Sequence, residues 1–222
     1  MILYKYYGFK AGLAALKKQT LGFRVPLYFN DLFEASLFDE DSMQDRINKI
    51  LEDVAILCLT RTPLNPLMWA HYGEEHRGFV IGYEVDTPFF LSNESNLISL
   101  TNGNVIYTKT KPFRKISDGD EKLLSLVVNG LEELNDHTKQ LINHLFLNKD
   151  TMWSYEEEVR IVKRLVNFAE DSLSEYPHNT YSSLLRKNRN SEYRSTEKIK
   201  GLRIFNYSAE IKEIYLGNRS SF

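Results

Sequence analysis

The stretch DTMWSYEEEVRIV, residues 150–162, decides how this chain is read. It ends like a β-strand, in Val159, Ile161 and Val162, yet it opens on Glu156, Glu157 and Glu158. Side chains alternate in direction along a strand, so an extended segment places Glu156, Glu158 and Arg160 on one face. Tyr155, Glu157, Val159 and Ile161 take the other. The first face reads E-x-E-x-R, with its two carboxylates roughly 7 Å apart at the backbone. It is either a solvated face, where Glu158 and Arg160 pair for roughly a few tenths of a kcal/mol, or a site.

Working outward, ILYKYYGF near the start alternates as an opening strand does, and KAGLAALKKQT follows as a short amphipathic helix. GFRVPLYF is a second extended piece, with Pro26 marking an edge or an irregularity. Ser42 starts a helix whose stripe is Ile47, Ile50, Leu51 and Val54. AILCLT is an apolar run of strand length, and Asn65-Pro66 opens a short helix that ends at Gly73. GFVIGYEV and NVIYTK read as strands, then come two helices, the E-x-E strand, a polar run over 169–200, and the strands LRIFNYS and EIKEIYLG. Strands and helices mix without a βαβ rhythm. This predicts an α+β fold, one domain over 1–222, with a mixed or antiparallel sheet, flanking helices and a polar surface insertion at 169–200.

Composition narrows the function classes. A net charge of −2 over 222 residues gives no global attraction to nucleic acid or to acidic membranes. The single cysteine, Cys58, lies in an apolar run and reads as a small buried hydrophobe, so neither a disulfide framework nor a cysteine metal cluster is expected. No apolar run reaches the length of a membrane span, and the first twenty residues lack a signal-type apolar region, so a cytoplasmic location is expected. The 13 Tyr and 13 Phe supply apolar area for packing, or rings for stacking. The only basic concentration, with Arg186, Lys187, Arg189 and Arg194, interleaves Tyr181 and Tyr193. That is a candidate nucleic-acid surface or a polar surface loop.

No phosphate-binding glycine loop and no G-x-S-x-G elbow occurs. His71 and His76 in HYGEEH are badly spaced for zinc, and no metal site is expected there. What remains is an aromatic and acidic set. Trp69, His71 and Tyr72 sit on the short helix after a buried strand, and Asn30, Asp31 and Glu34 follow an extended segment. Trp69 is equally a core residue, His71 a helix cap, and Asn-Asp a turn.

Taken in order, YKYY, FNDLFE, PLMWAHYGEEHRGFVIGYEV and KDTMWSYEEEVRIV resemble a bacterial family known as domain of unknown function 2971. That family shows F-N-D-x-F-E, M-W-x-H-Y-x-x-x-H-x-G and W-x-Y-E-x-E-x-R blocks, and the resemblance spans essentially the whole chain. More remotely, the order of elements is similar to the ADP-ribosyltransferase fold. There a first strand bears a His or Arg, a middle strand ends in Ser or Thr, and a later strand carries the catalytic Glu. This likeness implies NAD as substrate, with Lys5 or Tyr6 at the first station, Thr60 and Thr62 at the second, and Glu156 and Glu158 at the third. It further implies Glu158 as the carboxylate that stabilises the ribosyl cation, held in its rotamer by Thr60, and Glu156 as the group that orients or deprotonates the acceptor. Trp69 or Tyr72, with His71 beside them, would stack on nicotinamide, and Asn30 and Asp31 would close the pocket. The acceptor would be a protein or nucleic acid, and the role that of a toxin or phage-defence effector. The departure is plain: LYKYY holds no His or Arg.

Two other readings stay open. A non-catalytic domain would bind nucleic acid or a partner through the basic run. A magnesium-dependent nuclease would use Asp31, Glu34, Glu156 and Glu158 as oxygen ligands.

Overall fold

The computed structural model describes residues 1–29, 41–110, 116–165, 193–195, 199–206 and 209–219. In chain order the elements are β1 (Ile2–Tyr7), α1 (Phe9–Lys18), β2 (Leu21–Arg24), α2 (Asp41–Glu52), β3 (Val54–Thr60), α3 (Pro66–Tyr72), β4 (Phe79–Glu84), α4 (Pro88–Leu91) and β5 (Ile106–Thr108). They continue with α5 (Asp118–Val128), α6 (Asp136–Leu147), β6 (Asn148–Asp150), β7 (Glu158–Arg164), β8 (Tyr193–Ser195), β9 (Leu202–Phe205) and β10 (Ile211–Leu216). Short 3-10 turns stand at Pro26–Tyr28, Leu100–Asn102 and Thr151–Glu156. The expected α+β class holds. An eight-stranded sheet carries helices, and β5 and β6 form a separate parallel pair.

Local sequence explains most of these elements. Asn65 caps α3 by accepting from the Leu67 and Met68 N–H groups, and Pro66 enters at the first helical turn, where its missing N–H costs nothing. Ser117 with Asp120, and Asn135 with Thr138, form reciprocal capping boxes at the starts of α5 and α6. Gly8 gives α1 no side-chain cap, and the Glu74 carboxylate supplies one from outside by accepting the Phe9 N–H at 2.7 Å. Glu74 holds this position on a turn where it, Glu75 and His76 all have positive φ.

The sheet is organised by β3. Along one edge it pairs over its whole length with β7, from Val54 opposite Arg164 to Thr60 opposite Glu158. Its other edge is shared: β1 meets it at Tyr4–Thr60 and β2 at Arg24–Ile56. β1 leads on to β4 and β10, and β2 to β9 and β8. The two arms therefore fork at β3. The outer edge of β7 is covered by the segment 97–105, with bridges Ile98–Val162 and Asn104–Val159. Gly103 is required there, because a Cβ would run into the carbonyl oxygen of Arg160.

Both faces of the β3–β7 pair are packed. Leu57, Leu59, Val159 and Ile161 join one core with Leu3, Phe79 and Ile81. Ile56 and Val162 join a second, closed by Ile47 of α2, Val127 of α5 and Phe146 of α6. Each such side chain contributes about 1.5–3 kcal/mol on burial. Trp69 belongs to a third, smaller cluster with Tyr6, Met68 and Val80. No described helix is long and apolar enough to cross a membrane.

Candidate functional site

Only the second residue of the E-x-E pair lies on a strand. Thr151–Glu156 is a 3-10 turn, Glu157 is left-handed with φ 44°, and β7 begins only at Glu158. Nor is it a solvated face: Glu156 is 3% exposed, Glu158 4%, Arg160 2% and Lys149 6%. The left-handed residue turns the chain so that both carboxylates converge on one ammonium. Lys149 Nζ donates to Glu156 Oε2 at 2.6 Å and to Glu158 Oε2 at 2.8 Å. Arg160 grips Glu158 from the other side, Nε to Oε1 at 2.8 Å and Nη2 to Oε2 at 3.1 Å. Its Nη1 donates to Phe146 O at 2.7 Å, which anchors the guanidinium to the end of α6.

Further contacts fix this group. Tyr72 donates its hydroxyl to Glu156 Oε1 at 2.7 Å. The Glu158 N–H donates to the Tyr107 hydroxyl at 2.9 Å. Tyr107 stands opposite Lys149 in the β5–β6 pair, so one short ribbon sets two of the contacts. Burial alone would raise the Glu158 pKa, but the charges of Arg160 and Lys149 outweigh it and hold the carboxyl well below the ordinary range. Burial also raises the Tyr72 hydroxyl, and the adjoining Glu156 raises it further, so it remains a donor. The same cause raises the Cys58 thiol, and Glu158 beside it adds to the effect.

The network forms part of the wall of a cavity of about 470 Å³, within the range of about 300–1,000 Å³ usual for small-molecule sites. The cavity lies in the fork of the sheet. Lys5 and Tyr6 line it from β1, Arg24 from β2, Cys58 and Thr60 from β3, and His71 and Tyr72 from α3. Trp153 closes it beside Lys149, whose Nζ lies 5.4 Å from the centre of the indole.

Among the residues expected to act together, Lys5, Tyr6, Thr60, His71, Tyr72, Glu156 and Glu158 all line this cavity. Trp69 does not. It is 6% exposed, edge-on to Tyr6, stacked on His76, and donates its indole N–H to Pro63 O at 3.1 Å. Thr60 does not hold the Glu158 side chain either. Its hydroxyl donates to the backbone carbonyl of Glu156 at 2.5 Å and so fixes the turn before β7. His71 and His76 part company, one against Trp153 and the other on Trp69. The described residues hold no group of three or more metal-ligating side chains. Asn30, Asp31 and Glu34, and Arg186, Lys187 and Arg189, lie outside the described residues, and of Arg194 only the backbone, in β8, is described.

Sequence reasoning missed Lys149, Arg24 and Tyr107. The one available signal for Lys149 was indirect, since two carboxylates on a strand that also packs require a cation beside them.

The family comparison falls on this site. A family model described as a protein of unknown function, DUF2971, matches from Met68 to Ile161. The match covers less than half of the chain. The DUF2971 match contains His71 and Tyr72 of α3, Tyr107, Lys149 and the whole of the Glu156–Arg160 network. It leaves β1, β2 and β3, with Lys5, Arg24 and Thr60, outside, and the F-N-D-x-F-E block at 29–34 as well. No curated protein and no solved structure matches the chain.

Proposed function

We propose that this protein binds NAD in the fork of the sheet and breaks its nicotinamide–ribose bond, passing the ribosyl group to a macromolecular acceptor or to water. The observation that supports this most is a row across three strands. Tyr4 of β1 is paired with Thr60 of β3, and Thr60 with Glu158 of β7, all at the wall of one cavity. Thr60 and Glu158 are the second and third stations that the remote likeness to ADP-ribosyltransferases assigns, and Lys5, its first, follows Tyr4 on β1 and lines the same cavity.

In this reading the bond electrons leave with the nicotinamide nitrogen, and positive charge develops on the ribose. Glu158 is ionised and held in place, so its charge is preorganised for that cation. Lys149 must release Glu158 for the carboxylate to act, and Glu156 gives the ammonium a second partner to retain. Glu156 then takes the proton as the acceptor oxygen bonds to the ribose carbon. The rings of Tyr72 and Trp153, at the same wall, suit the nicotinamide. Such an enzyme would draw on the cytoplasmic NAD pool and would fit the part of a toxin or phage-defence effector.

A second reading is a binding domain without chemistry. It is favoured by the two cations that already neutralise Glu158. The magnesium nuclease gains less support, because Lys149 Nζ stands where a metal bridging Glu156 and Glu158 would sit.

NAD consumption by the purified protein, with cell lysate as acceptor, separates these readings. Wild-type turnover lost at least a hundredfold in Glu158→Gln is expected. Equal turnover in the two proteins overturns the role of Glu158. No turnover in either folded protein, with NAD still bound, establishes the binding domain.

A further inference from the structure

Among the described residues, the charges around the cavity do not cancel. Glu156 and Glu158 are matched by Lys149 and Arg160 within one network. Lys5 and Arg24 line the same cavity, and neither forms an ion pair with a described carboxylate. Lys5 Nζ makes a single hydrogen bond among the described residues, a long one of 3.3 Å to Cys58 O, on the stretch of β3 that neither arm of the fork pairs with. Arg24 donates only its Nε, to Tyr28 O at 2.9 Å, so its two terminal amino groups have no described partner. Burial lowers the pKa of Lys5, a cost to its charged form that an anion in the cavity would offset.

The two cations also enter the cavity from different strands, Lys5 from β1 and Arg24 from β2. Lys5 is anchored at Cys58, and Arg24 is paired with Ile56, two residues along β3. That step is roughly 7 Å at the backbone, and two cationic side chains entering from strands so spaced offer a phosphorylated ligand two points of contact. A guanidinium with two free amino groups is suited to the forked contact that phosphate oxygens accept.

We infer that Lys5 and Arg24 form an anion subsite in the fork of the sheet, one that takes the diphosphate of a nucleoside-diphosphate ligand. The choice of ligand rests on the NAD reading; the subsite rests on two cations that form no ion pair with a described carboxylate.

The test is calorimetric binding of ADP, inorganic pyrophosphate and adenosine to the full chain. Wild type is expected to bind ADP at least tenfold more tightly than adenosine, and to bind pyrophosphate measurably. Arg24→Gln and Lys5→Met should each weaken ADP about tenfold and leave adenosine unchanged. Arg24→Lys, which keeps the charge and loses the fork, should fall between. If the neutral variants do not fold, raising salt from 50 to 500 mM with wild type should weaken ADP several-fold more than adenosine. Equal affinities for ADP and adenosine, ADP binding insensitive to both substitutions and to salt, or no ADP binding, overturns the subsite. The two proposals fail separately. Arg24-dependent ADP binding without NAD consumption keeps the subsite and removes the enzyme, whereas NAD consumption with unchanged kinetics in Arg24→Gln does the reverse.

Discussion

Arg160 holds Glu158 with two nitrogens, at 2.8 and 3.1 Å, although the residues stand only two apart on β7. Neighbours at that spacing on a strand share a face, and on a solvated face their contact would be weak. Here both are buried, Lys149 closes the far side, and the end of α6 accepts a further guanidinium hydrogen bond. The interaction is strong because each partner would be costly alone.

Removing either partner therefore leaves an uncompensated buried charge. Arg160→Met and Glu158→Gln should each destabilise the fold by about 3–5 kcal/mol. The double variant should lose less than the sum, with a coupling of about 2 kcal/mol. Urea denaturation of the four proteins measures this; strict additivity would show that the pair does not act as a unit.

Stability should also fall in acid. The Glu158 carboxyl titrates lower in the folded chain than its ordinary value of 4.5, so folding favours its ionised form. That stabilisation is fully present above pH 4.5 and drains away as pH falls below it. Asp120, held down to about 2 by its backbone and side-chain contacts with Ser117 and by His137, adds a smaller loss beginning near its ordinary 3.8. Between pH 4.5 and 3 the stability of wild type should drop more steeply than that of Glu158→Gln. Parallel curves for the two would refute the assignment.

Gly103 offers a backbone test. A methyl group there meets the Arg160 carbonyl, so Gly103→Ala must push segment 97–105 away from β7. A loss of about 3 kcal/mol is expected, with faster amide exchange at Arg160, whose N–H donates to Gly103 O at 2.7 Å. Wild-type exchange at that amide would contradict the close approach.

Much of this fold was legible because its signals were local. The alternation in ILYKYYGF, the Asn65-Pro66 start and the apolar run of β3 all describe elements that form from their own residues. The candidate site was legible in identity and not in arrangement. Glu156 and Glu158 stand out in sequence, but alternation predicts a strand through both, and a left-handed Glu157 has no sequence signature of its own. Trp69 shows the opposite error: a ring beside a suspected site read as a platform packs in the core instead. Lys149 was silent because its strand, Asn-Lys-Asp, has nothing strand-like about it and exists through pairing with β5. Arg24 was silent because a fork, unlike a helix or a hairpin, has no local pattern.

That three-residue strand makes the sign of the site depend on counting. Asn148 and Asp150 flank Lys149, and only the middle residue reaches the two carboxylates. Deleting Asn148 would shift the register by one and bring Asp150 to the inward position. The cavity wall would then set three carboxylates against Arg160, Arg24 and Lys5, and the positive surplus that favours an anion there would be gone. The chain thus carries the polarity of its cavity in the length of the link between α6 and the turn before β7, as much as in any charged residue.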